Sequence, residues 1–287
     1  MGSAENLKAV NSWLQENHSV EIRQFDAIGG GCINTTGVIT LSNDDRLFVK
    51  LHNDPPPRFF PAEARGLDSL RRQTSLRVPE VIHAGDRFLL LEYLGSGPPA
   101  ADYWQRLGEG LAELHRQRFD SFGLETDNYC GLTPQCNTPD RDGYRFFARN
   151  RLCALADRAA NSGLLDSHDR RRVDRLATAL PTLVPEQPAV LLHGDLWSGN
   201  VHSDGQGFPG LVDPACYRGW AEAELAMTRL FGGFHPDFYR HYEAASAMAS
   251  DWQERAPLYN LYHLLNHLIL FGSGYLSQVK GVLHRFT

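Results

Sequence analysis

The chain has no apolar run approaching the ~18 residues needed to cross a bilayer, so no membrane span is expected. Its first residues, with Glu5, Lys8 and Glu16 interspersed, lack the apolar core of a signal peptide. Cations are in deficit: 28 Lys and Arg against 34 Asp and Glu give a formal charge of -6. A nucleic-acid binder needs clustered Lys and Arg. The densest cluster, Arg170-Arg171-Arg172, is flanked by Asp169 and Asp174 and reads as a solvated helix face. Cysteine is scarce: Cys32, Cys130, Cys136, Cys153 and Cys216 are odd in number and lack the paired spacing of a zinc site. No repeat and no long low-complexity segment is present. These absences leave a globule expected in the cytoplasm, with reduced thiols. Its 287 residues, 42% hydrophobic and 22% charged, suffice for one large domain or two lobes with real cores.

Hydrophobic patterning divides the chain. Leu7, Val10 and Leu14 share a face of a helix over 4–17. Strands are expected from Glu21 to Ala27, Gly37 to Leu41 and Leu47 to Leu51, with Asn43-Asp44-Asp45 turning between the last two. Pro55-Pro56-Pro57 interrupts, and Pro61 suits the first turn of a helix through Glu63 and Leu70. Val81 to Ala84 and Arg87 to Leu91 supply two more strands. Gly95-Ser96-Gly97-Pro98-Pro99 marks a boundary, beyond which helical stripes dominate, such as Trp104, Leu107, Leu111 and Leu114. The expectation is an α+β chain: a strand-rich lobe over 1–94 and a larger, mainly helical lobe over 95–287.

The chemistry concentrates in His193-Gly194-Asp195-Leu196-Trp197-Ser198-Gly199-Asn200, followed by Asp213. Two apolar runs, Ala189 to Leu192 and Gly210 to Val212, bracket the motif and place it in a strand-loop-strand setting. Phosphoryl transfer needs a base for the acceptor hydroxyl and oxygen ligands for magnesium. Asp195 suits the first role; Asn200 and Asp213 suit the second. Upstream, Gly29-Gly30-Gly31 lets backbone amides approach phosphates. Lys50 ends a strand where its cation can reach phosphates, and Glu63 on the next helix can pair with it. Taken singly, these have bland readings as a hairpin turn, an edge charge and a surface carboxylate. Their order, completed by Asp195, Asn200 and Asp213, is hard to assign to chance. Cys32 follows the glycines, where exposed amides would favour a thiolate. His263 and His267, four apart among leucines with no third ligand in sequence, read as core or interface residues.

The chain resembles the fructosamine kinase family, within the protein-kinase-like fold shared with aminoglycoside phosphotransferases. The resemblance rests on Leu191 to Asn200, Val212-Asp213-Pro214-Ala215, Glu224-Leu225-Ala226-Met227 and Leu230 to Phe234. Asn128-Tyr129-Cys130-Gly131, Thr133-Pro134-Gln135 and Phe146-Phe147-Ala148-Arg149 add to it. It implies a two-lobe fold, with a small antiparallel-sheet lobe and a larger helical one. ATP and magnesium would be the cofactors, with Gly29, Gly30, Gly31, Cys32, Lys50 and Glu63 at the nucleotide and Glu92, Tyr93 and Leu94 as the adenine hinge. Asp195 would be the catalytic base; Asn200 and Asp213 would hold the metal. Trp197, Trp220 and Glu222 are the acceptor-side candidates, Gly219-Trp220-Ala221-Glu222 departing from the family's usual Gly-His-Arg-Glu. The acceptor would be the sugar of a glycated small amine or glycated protein, with neither nucleic acid nor membrane as partner. Another small-molecule kinase, or a nucleotide-binding regulator without turnover, are the rival readings.

Overall fold

The computed structural model describes residues 2–29 and 34–287. Helix α1 (Gly2–His18) leads into β1 (Ile22–Ile28), β2 (Thr35–Leu41) and β3 (Arg46–Leu51). Helix α2 (Phe59–Arg71) intervenes before β4 (Val81–Ala84) and β5 (Phe88–Glu92). These strands form one antiparallel sheet in the order β1-β2-β3-β5-β4. Strand alternation sorts its two faces. Val49 and Leu51 join Ile39, Leu41, Phe88 and Leu90 against Val10 and Leu14 of α1. Phe48 and Lys50 take the opposite parity; Phe48, Leu89 and Leu91 pack with the larger core. Lys50 is thereby carried to the side that faces the rest of the molecule.

The remainder is mainly helical. Helix α3 (Tyr103–Leu114) precedes β6 (Arg118–Phe119), then the short hairpin β7 (Asn128–Cys130) and β8 (Thr133–Gln135). Helix α4 (Gly143–Phe147) runs through a π-helical stretch, Ala148–Cys153, into α5 (Ala154–Asn161), followed by α6 (Ser167–Leu183). Strand β9 (Ala189–Leu192) pairs with β6 and with β12 (Tyr217–Gly219); between β9 and β12 stands the hairpin of β10 (Val201–Ser203) and β11 (Pro209–Leu211). Helices α7 (Ala221–Leu230), α8 (Pro236–Ala245), α9 (Trp252–Phe271) and α10 (Leu276–Phe286) complete the chain. Helix α9 is buried almost all round, from Trp252 through Leu268, as expected for the centre of a helical layer. Among the described residues no helix is long and apolar enough to cross a membrane.

The two parts meet along residues 92–97. Gly205 N donates to the Leu94 carbonyl at 2.9 Å, and His202 Nε2 lies 2.5 Å from the Gly95 carbonyl. Leu211 N donates to the Arg77 carbonyl at 2.8 Å. The β10–β11 hairpin therefore grips the connection from below.

Candidate active site

A cleft of about 890 Å³ lies between the sheet and the helical part. Strand β3 brings Lys50 into it, 2% exposed. Lys50 Nζ pairs with Glu63 of α2 at 2.5 Å and also with Asp213. Burial pulls the ammonium pKa down, but the charges of Asp213 and Glu63 outweigh it and raise the pKa. Lys50 is thus a fixed cation in a place that water does not reach.

The loop after β9 is held from beneath. Glu224, near the start of α7, accepts from the backbone N–H groups of His193 and Gly194, the latter at 3.1 Å. Burial pushes Glu224 up to about 8, against those two bonds. His193 Nε2 reaches the Val212 carbonyl at 2.8 Å, and its Nδ1 accepts from Asp195 N at 3.3 Å. Burial lowers His193 to about 4, so the imidazole is neutral and braces two loops. Gly194 has φ +85°, and a Cβ there would run into the Ala215 carbonyl. Only glycine fits that turn.

Asp195 and Asn200 follow. Asn200 Nδ2 donates to the Asp195 carbonyl at 2.8 Å and to its carboxylate at 3.2 Å. Burial, and next the negative charge of Asp213, push Asp195 up to about 7; the Asn200 bond opposes them. Asp213 stands in the left-handed region, φ +57°, a conformation aspartate tolerates better than most residues. Its side chain, 47% exposed, faces the cleft beside Lys50. With its amide nitrogen on Asp195, Asn200 has its oxygen for a hard cation, and Asp213 offers a second oxygen; this donor set suits magnesium.

The far wall comes from Asn128, Tyr129, Cys130 and Gly131 of the β7–β8 hairpin. Asn128 Nδ2 donates to the Cys216 carbonyl at 2.8 Å and Gln135 Nε2 to the Ala215 carbonyl at 3.1 Å. Arg151, on the π-helical stretch, is fully buried, donates to Asn137 Oδ1 at 2.7 Å and lies 4.0 Å from the Tyr217 ring centroid. The hairpin is thus clamped between Arg151 and the Asp213 loop.

Gly29, Lys50, Glu63, Glu92, Tyr93, Leu94, Asp195, Trp197, Asn200 and Asp213 all line this one cleft. Gly30, Gly31 and Cys32 lie outside the described residues. The Glu92 carboxylate is engaged by Arg77 and by Glu80 N, and Arg46 sits 4.4 Å from the Tyr93 ring centroid. Trp220 and Glu222 do not line the cleft. Trp220 is buried among Phe122, Tyr144, Phe147 and Tyr259. Glu222 is buried against Arg255, with both oxygens at 2.7 Å from it, and accepts from Tyr259 at 2.9 Å. Tyr144 and Phe147 belong to the same cluster and do not line the cleft. Sequence reasoning missed the aromatic end of the cleft, where Phe231 packs on Trp197 and on His267, with Phe271 and Tyr275 beyond. Its signal was the Phe231-Gly232-Gly233-Phe234 run and the His267 repeat on α9.

The geometry is that of a phosphotransferase, and comparison with known proteins decides which kind. The family profile for fructosamine kinase matches residues 6–287. The chain belongs to the fructosamine kinase family. It is an ATP-dependent phosphotransferase acting on ketoamines. A probable ketoamine kinase of Synechocystis is 40% identical over 271 residues, covering 91% of this chain and 90% of that one. A chloroplastic protein-ribulosamine 3-kinase of Oryza sativa subsp. japonica is 35% identical, covering 96% and 82%. A crystal structure of a provisionally named fructosamine-3-kinase from Thermobifida fusca superposes with a TM-score of 0.88 at 33% identity, over 96% of this chain and 97% of that one. A macrolide 2'-phosphotransferase shares the fold alone, at TM-score 0.64 and 14% identity. The chain has the small antiparallel-sheet lobe and larger helical lobe that the resemblance implied.

Proposed function

We propose that Asp195 accepts the proton of the sugar 3-hydroxyl of a ketoamine while Lys50 holds the α- and β-phosphates of ATP. The observation that carries this reading is the convergence of Lys50, Glu63, Asp195, Asn200 and Asp213 on one cleft. Ile28, Phe48, Pro79, Leu91, Val201 and Val212 give that cleft apolar walls against which an adenine would stack. Asn200 and Asp213 would hold magnesium, which supplies charge neutralisation at the phosphates when bound. Glu63 fixes the Lys50 ammonium, so the cation needs no reorganisation when phosphates arrive. Asp195, raised toward neutrality, is matched to taking a proton near pH 7. Asn200 orients its carboxylate. Trp197, with Phe231 behind it, walls the acceptor side.

The chemistry downstream follows from the position of transfer. The 3-oxygen is β to the C2 carbonyl, and phosphate leaves far more readily than hydroxide. Elimination then breaks the adduct and frees the amine. Both glycated small amines and glycated lysines on protein surfaces are proposed acceptors. The test is phosphate transfer from magnesium-ATP to a panel of ribulosyl- and fructosyl-amines, with product position read by phosphorus NMR. A 3-phosphate on a ketoamine is expected. Phosphorylation of aminoglycosides in its place would sink the reading.

A further inference from the structure

Behind the Asp195 carboxylate lies a group of side chains that phosphate transfer leaves unused. Cys130, at the end of β7, and His263, in the middle of α9, meet Asp195. One thiol sulfur, one imidazole nitrogen and one carboxylate oxygen lie within 4.8 Å of one another. His263 Nδ1 is 3.8 Å from Asp195 Oδ1, too far for a hydrogen bond. His263 is 4% exposed and, among the described residues, that nitrogen has no hydrogen-bond partner. A buried nitrogen left so carries a desolvation penalty and calls for an explanation.

We infer that Cys130, His263 and Asp195 form a three-ligand site for a borderline-soft divalent cation of the zinc(II) class, whose binding inhibits transfer by removing Asp195 from the acceptor hydroxyl. The donor set supports this. Thiolate, imidazole and carboxylate are zinc ligands, whereas magnesium prefers oxygen alone. Three protein ligands leave a fourth position, and Cys130 and Asp195 both line the cleft, so that position opens toward it. Charge also balances. The cation displaces the Cys130 proton to solvent as the metal–sulfur bond forms, and two anionic ligands offset two positive charges. Burial pushes the Cys130 thiol up, so without a cation it stays protonated and inert. Burial lowers His263 to about 3, which keeps the imidazole neutral and able to ligate. Bonds of ~2.0–2.3 Å to a common metal set donors about 3.5 Å apart, so a pair at the 4.8 Å limit would close by about 1 Å on binding. The inhibition rests on Asp195 being the base; the binding does not.

Cobalt(II) is the probe, because a cobalt–thiolate bond adds a charge-transfer absorption that the other ligands do not give. The intact enzyme is titrated with cobalt(II) beside Cys130→Ser, Cys130→Ala and His263→Gln. Zinc(II) inhibition is then measured in excess magnesium-ATP, each protein against its own zinc-free rate. The wild type is expected to show the absorption, both Cys130 variants to lose it, and His263→Gln to bind at least tenfold more weakly. The zinc concentration for half-inhibition should rise at least tenfold in every variant. Absorption that survives in the Cys130 variants, or equal zinc sensitivity throughout, would overturn the site. Cobalt binding through Cys130 with turnover unaffected would overturn the inhibition and the role of Asp195 as base together.

Discussion

Lys50 carries its charge into a region where an unpaired ion would cost several kcal/mol, and two carboxylates meet it there. Glu63 comes from a packed helix and stays; Asp213 is half-exposed and sits on a loop. An incoming triphosphate therefore competes with Asp213, not with Glu63, for the ammonium. Replacing Lys50 by Met strips Glu63 of its partner as well as removing the phosphate contact. Lys50→Met is expected to lower stability by about 3 kcal/mol and kcat/KM for ATP by at least about a hundredfold. Adding Glu63→Gln to it should restore part of the stability and none of the activity. Urea denaturation of the single and double variants reads the first effect; no recovery in the double variant would mean that Glu63 was never left charged. Asp195→Asn acts differently, since the amide keeps the shape but cannot take a proton. Turnover should fall by about 10²–10⁴ while calorimetric nucleotide affinity stays within a few-fold, and a matching loss of affinity would argue against a base.

Helix α2 links the sheet to the Asp213 loop through one close approach. A Cβ on Gly66 would lie 3.3 Å from Pro214 Cγ and 3.4 Å from Cys216 Sγ. Phe60, Leu67 and Leu70 of α2 are fully buried and anchor the helix. A branched side chain at 66 must move either the helix or the loop, and Glu63 moves with the helix. Gly66→Leu is expected to cost about a hundredfold in kcat, as a displacement of about 1 Å does. Gly66→Ala should stay within a few-fold and gain helix propensity. Steady-state kinetics on the pair checks this, and a Gly66→Leu variant as active as Gly66→Ala would show that the contact transmits nothing. Elements of this kind explain what was legible. Short apolar runs rich in Val, Ile and Leu, with a turn between them, made β2 and β3 visible. Lys50 and Glu63 were found because their order along the chain mirrors their meeting in space. Trp220 and Glu222 were assigned to the acceptor because they stand where the family carries Gly-His-Arg-Glu, but at the start of α7 both are buried, where an aromatic cluster and Arg255 receive them. The Cys130–His263–Asp195 group was invisible because its members come from β7, α9 and the β9 loop, and only packing joins them. Glu224 was legible as a structural residue within its motif, but its two backbone partners, 30 and 31 residues away, were not.

Taken whole, the molecule keeps several titratable groups in its interior, and these set how its stability responds to acid. His115, His193 and His263 are held neutral by burial, at about 3, about 4 and about 3. Below pH 6.5 the unfolded chain takes up protons that these sites refuse, so stability is lost as pH falls. Asp195 and Glu224, raised by burial to about 7 and about 8, act with the opposite sign: the fold binds their protons more readily than the unfolded chain does. The wild-type profile is a difference between these two sets, and only a single-site comparison separates them. His115 serves because it stands at the end of α3, away from the cleft. Its Nδ1 lies 2.7 Å from the Tyr242 hydroxyl, and its Nε2 lies 4.0 Å from Glu224. Between pH 7.5 and 5.5 a histidine excluded from protonation costs about 1.4 kcal/mol. His115→Gln should therefore be less stable than wild type at pH 7.5, yet lose about 1.4 kcal/mol less on going to pH 5.5. Urea titrations at the two pH values measure both differences. Parallel losses in the two proteins would mean that the interior admits a proton at His115, with Glu224 near enough to hold it there.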